Sequence, residues 1–468
     1  MLDIFIIISF LAVTLILGIY YSRNIKTMRE YSIGDRRYNT PILVATLFAT
    51  LIGGGSTLGI AEKVYSIGLV FAITCLGPII NKLLTALYIA PRATVFQNMI
   101  SAGDIAEHYY GKAAKVITGL AGTAFMIGSL GVQVGSIGYI SHVFLDISYE
   151  WGVFIGATII VIYSSFGGVK AVTATDVIQF IILIIAIPLA CYIGIVKVGG
   201  FKNLFSSLPH SHTSFSSNPQ ISLKYLCFLL FNIVPYLTPP FIQRLLMAKN
   251  PKQIAKSMYY TIAVCIPFYF MICLIGFIAL KLFPDSNSSL AFPSLIKTVL
   301  PIGFKGIVIA GIFAAIMSTA DSVLNCIGIT VTHDIIQVLK EKPLSDKLEL
   351  SVTRWITFLI GSIAIAVAIK YKDIFDLVIN SLSIWASTVL MPILLGILGL
   401  RVSSNTFLIS VFGGLFTLIL WNWSLKQSIG IDGLLPSMIT NTLILFTGYY
   451  FEKIFTYNRT EGEPVNIK

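Results

Sequence analysis

Apolar stretches long enough to cross a lipid bilayer recur along this chain almost from end to end. That repetition leaves it one class of fold, an all-α polytopic membrane protein. A helix needs about 20 predominantly apolar residues to cross the hydrocarbon core. By that measure about thirteen spans are expected, near residues 4–21, 41–62, 69–90, 114–145, 151–165, 177–197, 222–243, 259–282, 304–332, 352–370, 375–399, 405–422 and 435–452. The 468 residues are 56% hydrophobic and 11% charged, and a soluble protein carries about twice that charged fraction. The net charge of +11 would suggest nucleic acid for a soluble domain. Here the basic residues stand in short loops between apolar spans, so topology explains them and no nucleic-acid partner is expected. The six cysteines all fall in apolar spans without a CxxC pair, which indicates neither a disulfide framework nor a zinc site. His210 and His212 share a Ser-rich loop and read as ordinary loop residues.

The loops set the orientation. With the amino terminus outside, the inner loops collect most of the Lys and Arg. Lys26, Arg29, Arg36 and Arg37 follow the first span directly, and Lys115, Lys170, Arg244, Lys249 and Arg354 come later. The positive-inside rule then puts the amino terminus outside and the tail, 453–468, in the cytoplasm. The first span has its positive charges after the apolar run, so it is expected to be a retained helix and not a signal peptide. The short polar tail is expected to be disordered. The fourth span is long and Gly-rich, and is expected to be tilted, kinked or locally unwound.

Two spans carry breaks. Gly53, Gly54 and Gly55 stand in the middle of the second span, and three glycines weaken a helix by about 1 kcal/mol each relative to alanine. Pro235, Pro239 and Pro240 interrupt the seventh span by removing backbone donors. Unwound backbone at membrane depth is tolerated only where it is buried in protein or lines a wet cavity. Two interrupted helices five spans apart are what a pair of inverted five-helix repeats gives, and such breaks point to a transporter's binding site. The alternative is that Gly packs helices closely and Pro only kinks them.

The stretch Ala310–Ile336 carries Ser318, Thr319, Asp321 and Ser322 in its apolar middle. An intramembrane carboxylate marks a functional site by default. Ala315, Ser318 and Thr319 stand at i, i+3 and i+4, on one helix face. One peptide oxygen and two hydroxyls offer hard, mostly neutral ligands, which suit a small hard cation. The competing reading is that Ser and Thr back-bond to their own helix or join neighbouring helices.

At these residues the chain resembles the sodium:solute symporter family over nearly its whole length. The resemblance is carried by GGGSTLGIAEKVYSIGL at 53–69, FGGVKAVTATDVIQF at 166–180, QRLLMAKN at 243–250 and AAIMSTADSVLN at 314–325. It implies a single transmembrane transporter domain, 1–452, of the leucine-transporter type. Within it, 4–21 is an extra first helix, 41–197 and 222–399 are inverted five-helix repeats, and 405–452 holds two further helices. It implies symport of a small organic solute, such as an amino acid like proline, a quaternary amine like choline, a sugar or a carboxylate. The driving force is the inward sodium gradient, used by alternating access. Sodium is the co-transported ion, with no organic cofactor and no obligate protein partner. The setting is the lipid bilayer of the plasma (bacterial inner) membrane.

The resemblance also implies site residues. The backbone oxygens of Ala49, Ile52 and Ala315 and the hydroxyls of Ser318 and Thr319 would hold sodium. A second cation or proton site would involve Asp176, Asp321 and Ser322. There one hydroxyl that relatives use is replaced by the carboxylate of Asp321. The solute pocket would draw on Gly53, Gly54, Gly55, Ser56, Phe71, Tyr236 and Trp385. Leu51 stands where the proline symporters carry an acid, and Phe71 where the choline transporter carries a Trp, so neither solute is singled out. Proton coupling in place of sodium stays open. An intramembrane enzyme would need converging acid, base and nucleophile groups, and His142 and Asp146 lack a nucleophile. A channel would show no saturable sodium dependence.

Overall fold

A computed structural model describes residues 1–22, 25–96, 98–215, 218–340, 344–371 and 373–460. Among the described residues the chain is helical throughout, without strands. Helix α1 covers Leu2–Ser22. The second span is two helices, α2 (Thr40–Leu51) and α3 (Ile60–Ile67), bent by 65° across the glycine break. The third, α4, runs over Leu69–Phe96 with changes of helical pitch. A short helix off the membrane-spanning set, α5 (Ala102–Tyr110), leads to α6 (Lys112–Leu145) and α7 (Tyr149–Lys197). The proline-interrupted span is α8 (Pro219–Ile233) and α9 (Pro239–Leu246), followed by α10 (Pro251–Leu282). Helix α11 (Phe304–Ile329) carries the Ser/Thr cluster. Helices α12 (Asp346–Lys370), α13 (Ile374–Trp385), α14 (Ser404–Leu420) and α15 (Leu434–Thr460) complete the bundle.

Nine described helices are long and apolar enough to cross a membrane, and the bent α2–α3 pair makes ten. The other three expected spans fall on the first half of α7, on the broken α8–α9 pair and on α15. The Gly-rich fourth span is not locally unwound: it is an unbroken helix whose glycines serve as contact points. A Cβ at Gly128 would lie 1.8 Å from Ser381 Oγ, and one at Gly138 would lie 2.6 Å from Val153. The fifth and sixth spans are not separated by a loop at 166–176. They join at one residue, Gly168, whose φ of 55° is left-handed and whose Cβ would strike Tyr31. The run 170–175 continues the helix, and its hydroxyls are satisfied by bonding back one turn, as Thr173 does to the Val169 carbonyl at 2.7 Å.

Helix α11 is the axis of the core. Nearly every residue from Val308 to Ile329 is buried, against α7 above all and also α1, α6 and α2. Its start is fixed by the first helix: the Asp3 carboxylate accepts the N–H groups of Gly303 at 2.7 Å and Gly306 at 2.8 Å. This satisfies donors that a helix N-terminus leaves unpaired.

The far end of the same helix line is held by an ionic cluster. Lys115 donates to Asp104 at 2.7 Å and to Glu107 at 2.9 Å. His333 bridges Asp104 at 3.0 Å and Glu349 at 3.4 Å. Asp334, fully buried, accepts from Ser101 Oγ at 2.6 Å at the start of α5. Lys115 was read above as an inner-loop charge; it is buried in this cluster. Burial opposes the charged form of Asp104, but the His333 hydrogen bond and the charges of His333 and Lys115 outweigh it. They hold the carboxyl well below the usual aspartate range. A depressed folded-state pKa contributes stability that is complete above the unfolded value, about 3.9, and is lost as pH falls through and below it. The thermal unfolding midpoint of purified protein is expected to fall on acidification below about pH 4, and less so for Asp104→Asn. Lys115→Met leaves Asp104 with His333 alone and leaves the partly exposed Glu107 without its cation, and is expected to cost about 1 kcal/mol in chemical unfolding.

Candidate functional site

The glycine break brings the expected oxygen set together. Helix α2 ends at Leu51, and Ile52 is extended at φ −106° and ψ 98°. The carbonyl of Ala49 therefore turns out of its own helix and across to α11. It accepts from Ser318 Oγ at 3.0 Å and from Thr319 Oγ1 at 3.1 Å. Ser318 Oγ also lies 2.9 Å from the Ala315 carbonyl. Four of the five expected sodium ligands are thus linked in one chain of hydrogen bonds, Thr319–Ala49–Ser318–Ala315, all buried, on two helices that touch here. Ile52 is fully buried one residue before Gly53. These are hard neutral oxygens with hydroxyl hydrogens that can rotate away, a donor set that fits a monovalent hard cation.

The break is stitched by two side chains, of which Gln133 is one that sequence reasoning missed. Gln133 on α6 accepts the Gly54 N–H at 2.8 Å, and Ser56 Oγ donates to the Leu51 carbonyl at 2.9 Å. A Cβ at Gly53 would lie 2.6 Å from Thr319 Oγ1 and 2.5 Å from Gln133 Oε1. In the second break, the Val234 carbonyl accepts from Asn81 Nδ2, and the Tyr236 carbonyl from Trp385 Nε1 at 3.0 Å. Gln133 and Asn81 were visible as amides inside apolar spans, a signal that the motif-led reading passed over.

Between the two breaks lies a cavity of about 200 Å³. Its wall includes Gly53, Gly55, Ser56, Phe71 and Tyr236 from the expected pocket set, with Thr319, Gln133, Ser129, Asn232 and Ser381. Among the described residues, none that lines the cavity is of a charged type. Two expected pocket residues stand elsewhere. Gly54 faces α6, where a Cβ would lie 2.0 Å from Ser136 Oγ. Trp385 is fully buried behind the wall, because its ring N–H is needed by the unwound backbone at Tyr236.

Asp176 and Asp321 are both buried, but they do not face each other as an unmitigated carboxylate pair. Asp176 accepts from Thr46 Oγ1, and its Oδ2 lies 3.7 Å from Arg244 Nη2. Asp321 accepts from Ser164 Oγ. Arg244 was read as an inner-loop charge. It is 1% exposed, and also donates to Thr50 Oγ1 at 3.0 Å and to Ser322 Oγ at 2.5 Å. The guanidinium therefore ties Asp176 and Ser322 together a little over one turn from the Ala49 cluster.

Comparison with known proteins decides the family. The family described as Sodium:solute symporter family matches residues 31–414. The chain belongs to it. Sodium:solute symporters are sodium-coupled transporters and not enzymes, and the chain is a multi-pass membrane protein. It is 23% identical over 479 residues to the sodium/sialic acid symporter NanT of Aliivibrio fischeri, covering 97% of this chain and 94% of that protein. It is 25% identical over 487 residues to the human high affinity choline transporter 1, covering 97% and 80%. A sodium-coupled sialic acid symporter solved in a substrate-bound outward-open state superposes with a TM-score of 0.80 at 19% identity, over 97% of this chain and 98% of that one. The nucleobase-cation symporter Mhp1 superposes at 0.56 and 11% identity, over 90% of this chain and 94% of that one, which places the fold among leucine-transporter-type symporters.

Two predictions follow from the geometry. Gly53→Ala forces a methyl against Thr319 and Gln133, and is expected to reduce sodium-dependent uptake at least tenfold while the protein still reaches the membrane. Ser318→Ala and Thr319→Ala each remove one oxygen with little volume. In vesicle uptake, each is expected to raise the sodium concentration for half-maximal rate severalfold.

Proposed function

We propose that this chain imports a small organic solute on the inward sodium gradient by alternating access. Sodium would bind at Ala49, Ile52, Ala315, Ser318 and Thr319, and the solute in the adjoining cavity. One observation carries the reading: Thr319 belongs both to the oxygen cluster and to the cavity wall. An ion there changes the position of a side chain that the solute touches, which is a direct route to coupling. The amino terminus lies outside and the tail inside, in the bacterial inner membrane, as the distribution of Lys and Arg favours. The breaks at Gly53–Gly55 and 234–238 are equivalent points of two inverted repeats, 41–197 and 222–399.

The energetics suffice for accumulation. A sodium ion entering down about 100 mV supplies roughly 2.3 kcal/mol. A tenfold sodium gradient adds about 1.4 kcal/mol. Together these sustain a solute gradient of several hundredfold at one ion per electroneutral solute.

Asp176, Asp321 and Ser322 are the second candidate cation or proton site. Arg244 already places a positive charge between Asp176 and Ser322, and this supports a cycle of one sodium per solute. The test is paired sodium and solute flux in proteoliposomes loaded without sodium. A solute uptake that continues when external sodium is replaced by potassium overturns the reading. If such uptake instead follows an imposed proton gradient, coupling is to protons. A ratio of one is expected in the wild type, and a ratio of two reinstates the second ion. Asp176→Asn is expected to lower transport by releasing Arg244, without changing the ratio.

A further inference from the structure

The cavity wall among the described residues is uncharged, yet one basic side chain is buried directly behind it. On α4, the residues Phe71, Thr74, Cys75 and Pro78 line the cavity at helical spacing. The next residue on that face is Lys82, one turn beyond Pro78. Its side chain is 1% exposed, deep within a span. The ammonium folds back toward the cavity. It donates to the Pro78 carbonyl at 2.9 Å and lies 5.9 Å from the centre of the Tyr269 ring. Pro78 and Tyr269 both belong to the cavity wall. Among the described residues, no carboxylate lies within ion-pair distance of Lys82.

That arrangement is incomplete as it stands. An ammonium carries three donors and no acceptor. One carbonyl and one aromatic face replace only part of the water it gives up. Elsewhere in this molecule the buried cations are matched: Arg244 with Asp176, and Lys115 with Asp104 and Glu107. A charge in the membrane interior without a protein counter-ion marks a place where a ligand or ion supplies it. Lysine suits the task, because a compact ammonium on a flexible stem can turn past Pro78 to meet an incoming group.

We propose that Lys82 is the anion-recognising residue of the solute site, and that the transported solute carries a carboxylate, as a simple organic anion or as a zwitterion. The proposal rests on reading the central cavity as the solute site. Gln133, Ser129, Asn232 and Ser381 then face the uncharged, hydrogen-bonding remainder of the solute. Bound this way, the carboxylate completes the charge pair of Lys82, and its neutral analogue leaves the ammonium unmatched.

The test is a thermal-shift titration of purified protein with matched pairs: lactate and lactamide, proline and prolinamide, gluconate and sorbitol. Each is run in sodium chloride and in potassium chloride, for the wild type and for Lys82→Met. The expected result is that at least one carboxylate stabilises the wild type while its uncharged-at-carboxyl partner binds at least tenfold more weakly. Lys82→Met is expected to weaken that carboxylate at least tenfold and to leave stabilisation by sodium alone unchanged. Lys82→Arg keeps the charge and is expected to retain the preference, which guards against a variant that merely unfolds. Stabilisation only by the neutral members, or by no carboxylate, overturns the proposal, as does unaltered carboxylate affinity in a folded Lys82→Met. A carboxylate that binds through Lys82 equally well in potassium overturns sodium coupling and leaves Lys82 in its role.

Discussion

The carbonyl of Ala49 is the point on which the site is built. In an unbroken helix it would accept a backbone N–H four residues on. The glycine break takes that partner away, and two hydroxyls from α11 replace it. Inside a bilayer no water is available to satisfy a stray carbonyl, so the break can exist only where another helix answers it. The placement of α11 against α2, and the exclusion of any side chain at Gly53, follow from that demand. The second break obeys the same rule with other partners, Asn81 and Trp385, whose side chains reach in from α4 and α13.

The hydroxyls on α11 do two tasks that are normally separate. They hold two helices together by hydrogen bonds, and they are the oxygens proposed above to take an ion. In that proposal a sodium ion would not need to build its site: the hydroxyl hydrogens would rotate away and leave their oxygens to the cation within an existing cluster. Arg244 plays the corresponding part for the carboxylate next door. Removing either member of a buried charge pair strands the other, at a cost of several kcal/mol. The Arg244–Asp176 pair therefore anchors α9 to α7 and α11 whatever else it does.

The features legible in the sequence were those set by spacing or by backbone chemistry. Ala315, Ser318 and Thr319 could be placed on one face because a helix has a fixed period. The breaks at Gly53–Gly55 and around Pro235 and Pro239 could be placed because Gly and Pro act locally. What escaped was decided by tertiary packing. Arg244 and Lys115 were read as loop charges because each lies within a few residues of a span's end, and only the packed bundle shows that they point inward. Trp385 was read as a pocket aromatic because its type suits a binding site, while its ring N–H was already committed to Tyr236. The loop expected at 166–176 failed for a similar reason. One glycine at 168 turns the chain, so the polar residues that follow were free to be helix.

The contact between Asp3 and the start of α11 joins the first helix to the one that carries Ser318 and Thr319 by two hydrogen bonds. Because α1 also packs along α7, a displacement of α1 is shared between α7 and the start of α11. Ser318 and Thr319 lie about four turns further down α11. In mechanical terms the first helix is a handle on the helix that carries Ser318 and Thr319.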